Sequence, residues 1–203
     1  MGEIFEYRGV EGLVYAPVTK DDTTGYETGE VKEIAGVAEI GKKTETSSEA
    51  HYYDNVPAIV ISSTGADEIT CTVSAIPLEV LADITGQGYD ETTGALIEGD
   101  RKPGYFALGY KTKKTNGEEV YVWRYKGTFG IPDSTHVTED DGTDANGQEI
   151  TYTGISTTHK FAKTGKRAKA INVDLGKDLA DVSTFFDQVT TPDMLKAKTE
   201  PTT

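Results

Sequence analysis

The sequence predicts a mainly β fold with one or two short packed helices and long loops or arms. Three observations lead there. Among 203 residues there are 29 Thr, 11 Tyr and 22 Gly; Thr and Tyr suit a pleated surface, and Gly suits turns. Glu68–Ile76 alternates strictly, with Ile69, Cys71, Val73 and Ala75 on one face and Thr70, Thr72 and Ser74 on the other. Tyr105–Lys113 and Glu119–Phe129 flank Asn116-Gly117, a pair that favours the type I′ hairpin turn, with a loop longer than two residues as the alternative.

The remaining elements follow in chain order. Gly9–Pro17 reads as one strand around the apolar run Leu13–Ala16. Val18–Glu33, punctuated by Gly25 and Gly29 and acidic beyond Lys20, reads as a long loop or arm outside the core. Ile34–Gly41 and Thr44–Tyr53 read as two strands around a turn at Gly41-Lys42-Lys43, and His51–Asn55 closes the second. Pro57–Ser62 is a short apolar run. Pro77–Thr85 is a helix candidate: Pro77 opens it, Leu78, Leu81 and Ile84 recur at helical spacing, and Gly86 stands at the C-terminal stop. Gln87–Asp100 is a glycine-punctuated loop, and Ile150–Thr157 returns to strand patterning.

On the return strand of the Asn-Gly hairpin, Tyr121, Trp123, Tyr125 and Phe129 fall on one face, and Val120, Val122, Arg124 and Lys126 on the other. Asp178–Val189 is a second helix candidate, capped by Asp178, with Leu179, Val182, Phe185, Phe186 and Val189 as its stripe. The expected core comprises Ile69, Cys71, Val73, Leu78, Leu81, Tyr121, Trp123, Tyr125, Phe185 and Phe186. The expected organisation is one domain over 1–193, with an extended loop at 18–33 and a polar tail at 194–203.

Several function classes are disfavoured. No apolar run is long enough to span a bilayer as a helix. The acidic, mixed stretch Met1–Val10 does not resemble a signal peptide, and the single cysteine, Cys71, permits no internal disulfide; both suggest a chain folded in a cytosol. Thirty-four acids against 20 bases give a net charge of −14, which argues against nonspecific attraction to DNA or anionic membrane. Catalytic signatures are missing: His51, His136 and His159 show no metal-binding spacing, and no phosphate loop or nucleophile elbow is present. No catalytic, cofactor or metal residue is therefore assigned. Asp144-Ala145-Asn146-Gly147 resembles the middle of a calcium loop. Counted from Gly147, the first ligand would be Gly142 and the twelfth Thr153, so within the 139–149 loop at most a weak Ca²⁺ site is expected.

Charge is segregated. Asp133–Glu149 holds Asp133, Glu139, Asp140, Asp141, Asp144 and Glu149 with no Lys or Arg. His159–Ala170 holds Lys160, Lys163, Lys166, Arg167 and Lys169 with no acid. Complementary patches on neighbouring copies would set register in a head-to-tail assembly, so these residues are the expected inter-subunit contacts. Asp21, Asp22, Tyr26, Glu27 and Glu30 are the expected contacts of the arm.

Five segments, in this order, resemble the major tail proteins (tail-tube proteins) of long non-contractile-tailed phages of Gram-positive bacteria. They are GLVYAPVTKDD (Gly12–Asp22), AHYYDN (Ala50–Asn55), ITCTVSAIPLEVLADITG (Ile69–Gly86), YFALGYKTKKTNGEEVYVWRYKG (Tyr105–Gly127) and TPD (Thr191–Asp193). The resemblance spans Gly9–Asp193. It implies a β-sandwich or barrel-like fold and hexameric rings that stack into a tube, with the arm reaching the next ring. It further implies assembly in the host bacterial cytoplasm around a tape-measure protein, contacts with tail-terminator and distal tail proteins, and a virion conduit through which double-stranded DNA passes unbound. The alternative reading is a carbohydrate-binding or adhesion module in which Tyr121, Trp123 and Tyr125 form an exposed platform.

Overall fold

The computed structural model describes residues 4–138 and 146–198. The chain forms β1 (Tyr7–Asp21), β2 (Tyr26–Thr28), β3 (Lys32–Glu33), β4 (Val37–Tyr53), β5 (Val56–Val73), α1 (Leu78–Thr85), β6 (Gly88–Asp90) and β7 (Ala95–Ile97). β8 (Phe106–Lys114), β9 (Glu119–Phe129), β10 (Asp133–Ser134), β11 (Gln148–Ile155) and β12 (Ala170–Asp174) complete it. The fold is mainly β. All ladders are antiparallel, and the main sheet runs β2-β1-β8-β9-β11-β5-β4, with β3 on β1, β12 on β9 and β10 on β11.

This sheet curls, because β9 exchanges neighbours along one edge. Val120–Arg124 pair with β12, whereas Lys126–Phe129 pair with β11. At the exchange the β8 register jumps from Phe106↔Gly127 to Leu108↔Arg124, so β9 contains one extra residue, a bulge. The bulge reverses the alternation. Trp123 and Tyr125 lie in one core and Phe129 in the other, which corrects the expectation that all the aromatic residues share a face. Gly127 sits at the bend, where a Cβ would lie 2.5 Å from the Thr153 carbonyl oxygen.

The larger core fills the inside of the curl. Leu13 and Tyr15 of β1, Leu108 of β8, Val122 of β9, Ile150 and Tyr152 of β11, and Ile69, Cys71 and Val73 of β5 meet there. Leu81 and Ile84 of α1 close one end. The helix begins at Leu78, with Pro77 at the cap rather than inside it, and stops at Gly86 (φ 71°). A Cβ on Gly86 would lie 2.3 Å from the Lys102 carbonyl oxygen, so the stop requires glycine twice over. Leu78, expected in the core, is 48% exposed. Helical side chains lean towards the N-terminus, and Leu78, the first helical residue, leans past the end of the core.

The second core lies on the opposite face of β1, β8, β9 and β12. Val14, Ala16, Ala107, Trp123, Tyr125 and Val173 meet Phe161, Phe185 and Val189 there. Tyr121 and Phe186 are half-buried at its margin. The expected helix over Asp178–Val189 does not form. A 3₁₀ turn, Leu175–Lys177, ends at Asp178 with φ 47°, and Leu179 is 69% exposed. The Phe185 carbonyl, which a helix would give to Val189, instead accepts Trp123 Nε1–H at 2.8 Å and the Thr190 hydroxyl at 3.1 Å. Two side-chain donors, Trp123 of β9 and Thr190 just past the segment, thus take the carbonyl that the helical ladder would use. The start of the expected tail is tied down as well: Asp181 N–H donates to Lys196 O, and Lys198 N–H to Leu179 O.

The Asn116-Gly117 turn is also not type I′. Asn116 keeps a negative φ, Gly117 N–H donates to Lys114 O, and Gly117 has φ 90°, giving a three-residue loop with a glycine bulge.

Gly127→Ala should lower stability by about 1–3 kcal/mol through overpacking, read as a lower urea midpoint with unchanged slope.

Candidate assembly surface

Residues 37–73 form one long hairpin rather than several short strands. The anticipated turn at Gly41-Lys42-Lys43 is absent; all three residues lie within β4. The reversal falls at Asp54-Asn55, whose φ values of 49° and 63° are the left-handed pair that a type I′ turn requires. Near the core, β5 is paired on both sides, with β4 and β11. The β11 ladder ends at Gly154↔Asp67, and beyond Asp67 the hairpin has only itself.

Every residue from Glu45 to Gly65 is exposed. This ribbon extends roughly 30 Å at ~3.3 Å per residue, and among the described residues no third strand pairs with either edge. Its chemistry is graded. Near the root, Thr46, Ser47 and Ser48 face Thr64, Ser63 and Ser62, and the Ser47 and Ser63 hydroxyls hydrogen-bond at 2.8 Å. Near the tip, Tyr52, Tyr53, Val56, Ile59, Val60 and Ile61 are each 51–65% exposed. Monomeric proteins usually blunt such edges, and an isolated two-stranded ribbon is marginal in water.

The root is fixed by a buried charge cluster. Asp67 accepts from Arg124 Nη1 at 2.8 Å, Lys169 Nζ at 3.2 Å and the Thr44 hydroxyl at 2.9 Å. Lys169 Nζ also reaches the Gly65 carbonyl. Burial opposes ionisation of Asp67, yet the Thr44 hydroxyl, Lys169 and Arg124 outweigh it and hold the carboxyl below its ordinary range. Lys169, expected at an inter-subunit contact, is therefore committed within its own chain.

The other basic residues divide. Lys163 donates through Nζ to the Leu195 carbonyl at 3.0 Å, and Arg167 through Nε to the Thr158 carbonyl at 3.2 Å. Asp193 accepts the Ala162 and Lys163 N–H groups, which gives the Thr191–Asp193 segment a local role. Lys160 and Lys166 are exposed and make no ion pair with described residues. Glu139, Asp140, Asp141 and Asp144, with most of the calcium-like loop, lie outside the described residues.

The 18–33 segment is not an arm. β2 folds back on β1 with Asp21↔Tyr26 in register. Tyr26 packs on Tyr125 and Phe161 and donates to the Tyr125 carbonyl at 2.5 Å. Asp21 is buried against Lys126 at 2.6 Å and accepts the Thr158 and His159 N–H groups. Burial raises its pKa, but Lys126 and the two backbone donors bring it below the ordinary carboxylate range. Asp22 caps the turn through Thr24 and Gly25; Glu27 pairs with Lys20 at 3.3 Å, and Glu30 is exposed. The acids that suggested an extended arm are in part its anchors.

Trp123 and Tyr125 are wholly buried, and Tyr121 is partly covered by Phe185 and Phe186, so this stripe offers no exposed aromatic platform. Cys71 is also fully buried, and burial pushes its thiol up to about 12. Among the described residues no three His, Cys, Asp or Glu side chains converge as a metal site, and no helix is long and apolar enough to cross a membrane.

No protein-family model matches the chain, and no curated protein matches it.

Asp21 and Asp67 ionise in the folded chain below their unfolded value of about 3.9. Their stabilisation is therefore whole above about pH 5 and is lost as pH falls through the folded value. Asp67→Asn should cost about 3–5 kcal/mol at pH 7, because it strands Arg124. In urea melts the gap between wild type and Asp21→Asn/Asp67→Asn should narrow from pH 7 to pH 3.

Proposed function

We propose that the chain is a structural subunit that self-assembles into stacked rings forming a phage tail tube. The observation that carries this reading is the ribbon Glu45–Gly65: 21 consecutive exposed residues, free on both edges and apolar at the tip. A surface of this kind is stabilised by covering it, and identical neighbours offer matching edges. The ordered resemblance of five segments to tail-tube proteins supplies the kind of assembly, a ring of six repeated along an axis. AHYYDN, one of those segments, forms the tip and turn of the ribbon.

The net charge of −14 agrees with a conduit role. A wall rich in carboxylates repels phosphates and releases no counterions to them, so DNA slides without being held. On this reading the protein belongs to the virion, is built around a tape-measure protein, and needs no cofactor. Lys160 and Lys166, unengaged among the described residues, remain the basic candidates for contact with a neighbour's acidic loop.

The test is negative-stain electron microscopy of the purified chain over a concentration series, where rings or hollow tubes are expected. Ile59→Asp with Ile61→Asp should abolish them and leave the thermal midpoint of the monomer nearly unchanged, because both side chains are exposed and surface changes shift stability by about 0.5 kcal/mol or less. A wild-type chain that stays monomeric at millimolar concentration, or a double variant that assembles as wild type does, contradicts the reading.

A further inference from the structure

The geometry points to a strand-acceptor site: the open seam between β1 and β4 receives the tip of the ribbon from a second copy of the chain. This rests on the self-assembly reading and names the surface that completes it.

The sheet curls until its distant strands β1 and β4 touch, but among the described residues no ladder joins them. The cause lies in β1. Its register on β8 gains an extra residue between Tyr7 and Val10 and another between Glu11 and Val14. Gly9 and Gly12, with φ of 107° and 65°, provide the two bulges. β1 bends there, and an open cleft of about 610 Å³ remains where a closed barrel would have a ladder. Val10, Ile40, Tyr110 and Val122 give it apolar walls, and Ala38 stands exposed at its rim.

The cleft has chain edges on both sides and a polar group without a partner. Arg124, 6% exposed, lines it, and its Nε–H has no hydrogen-bond acceptor among the described residues. A donor in that position favours a ligand that brings it an acceptor. An extended backbone supplies carbonyl acceptors for Arg124 and the free edges, and apolar side chains for the walls.

The occupant is the ribbon tip, because its properties are the complement. It is extended and apolar, and it carries Glu49 and Asp54 with no Lys or Arg between Thr44 and Asp100. Of the charged groups lining the cleft, Lys42 stands beside Glu39, and Arg124 belongs to the cluster in which it and Lys169 share the single carboxylate of Asp67, so basic charge is in excess there. The chain cannot fill its own cleft. β4 runs unbroken from the seam into the ribbon, so the tip stands roughly 30 Å beyond the root. A tip in the next copy's cleft is a heterologous contact, which propagates into rings or filaments.

Disulfide trapping tests this. Ala38→Cys and Val60→Cys are made in separate chains, with the fully buried Cys71 retained, then mixed at assembling concentration and oxidised. A mixed disulfide dimer is expected only in the mixture. Ala38→Trp, which plugs the cleft from an exposed position, should raise the critical concentration about tenfold or more while melting as wild type does. If the mixture assembles without the disulfide and Ala38→Trp assembles at the wild-type concentration, the acceptor site is wrong and the tube reading stands. If the wild-type chain never assembles, the reading beneath it fails too.

Discussion

At Asp67, strand β5 parts from β11, and the molecule changes character. On the core side β5 is held by two neighbouring strands and by apolar packing on Ile69, Cys71 and Val73. On the other side, past the Lys169 contact with the Gly65 carbonyl, a two-stranded ribbon continues with no third strand beside it among the described residues. The junction is held by one carboxylate that joins Thr44 on β4, Arg124 on β9 and Lys169 just before β12. Those three residues come from separate parts of the curl, so the same cluster sets the direction in which the ribbon leaves. Burying charge is expensive, and a well-packed apolar substitute often does as well for stability alone. What an ionic junction adds is a defined geometry, and a projecting ribbon depends on its angle.

Curvature is the second constraint. Among the bulges of the sheet, three shape the curl: two at Gly9 and Gly12 in β1, and one where β9 leaves β12 for β11. The β9 bulge closes the curl around the larger core. Those in β1 hold it open at the seam. A donor ribbon and an unfilled cleft thus come from the same set of strands, and neither is satisfied within one copy.

Much of the core was legible in the sequence. The alternation of Glu68–Ile76 as far as Val73, the apolar run Leu13–Ala16 and the two strands around Asn116-Gly117 fall in strands, because period-two burial writes itself directly into residue order; Ser74–Ile76 lie beyond β5, and Ala75 is exposed. The ribbon was legible in part: the strand Thr44–Tyr53 and its close at His51–Asn55 fall in β4 and the reversal, but its fusion with Ile34–Gly41 into one long strand and its full exposure were not. An exposed ribbon has no buried face, so its pattern shows no period. The acids of 18–33 looked like solvated surface because sequence cannot show that Asp21 meets Lys126, 105 positions away. Phe185, Phe186 and Val189 looked helical for a related reason. Their spacing suits a helix, but Trp123 and Thr190 claim the Phe185 carbonyl that the helix would need.

The central claim is that Glu45–Gly65 is bare in the single copy and covered in the assembly. Backbone hydrogen exchange of this segment measures it most directly, compared between dilute monomer and concentrated protein. The account predicts fast exchange over 45–65 in the monomer, slow exchange over the same residues in the assembly, and little change in Ile69–Val73. Equal exchange in both states, or protection already present in the dilute monomer, would contradict it.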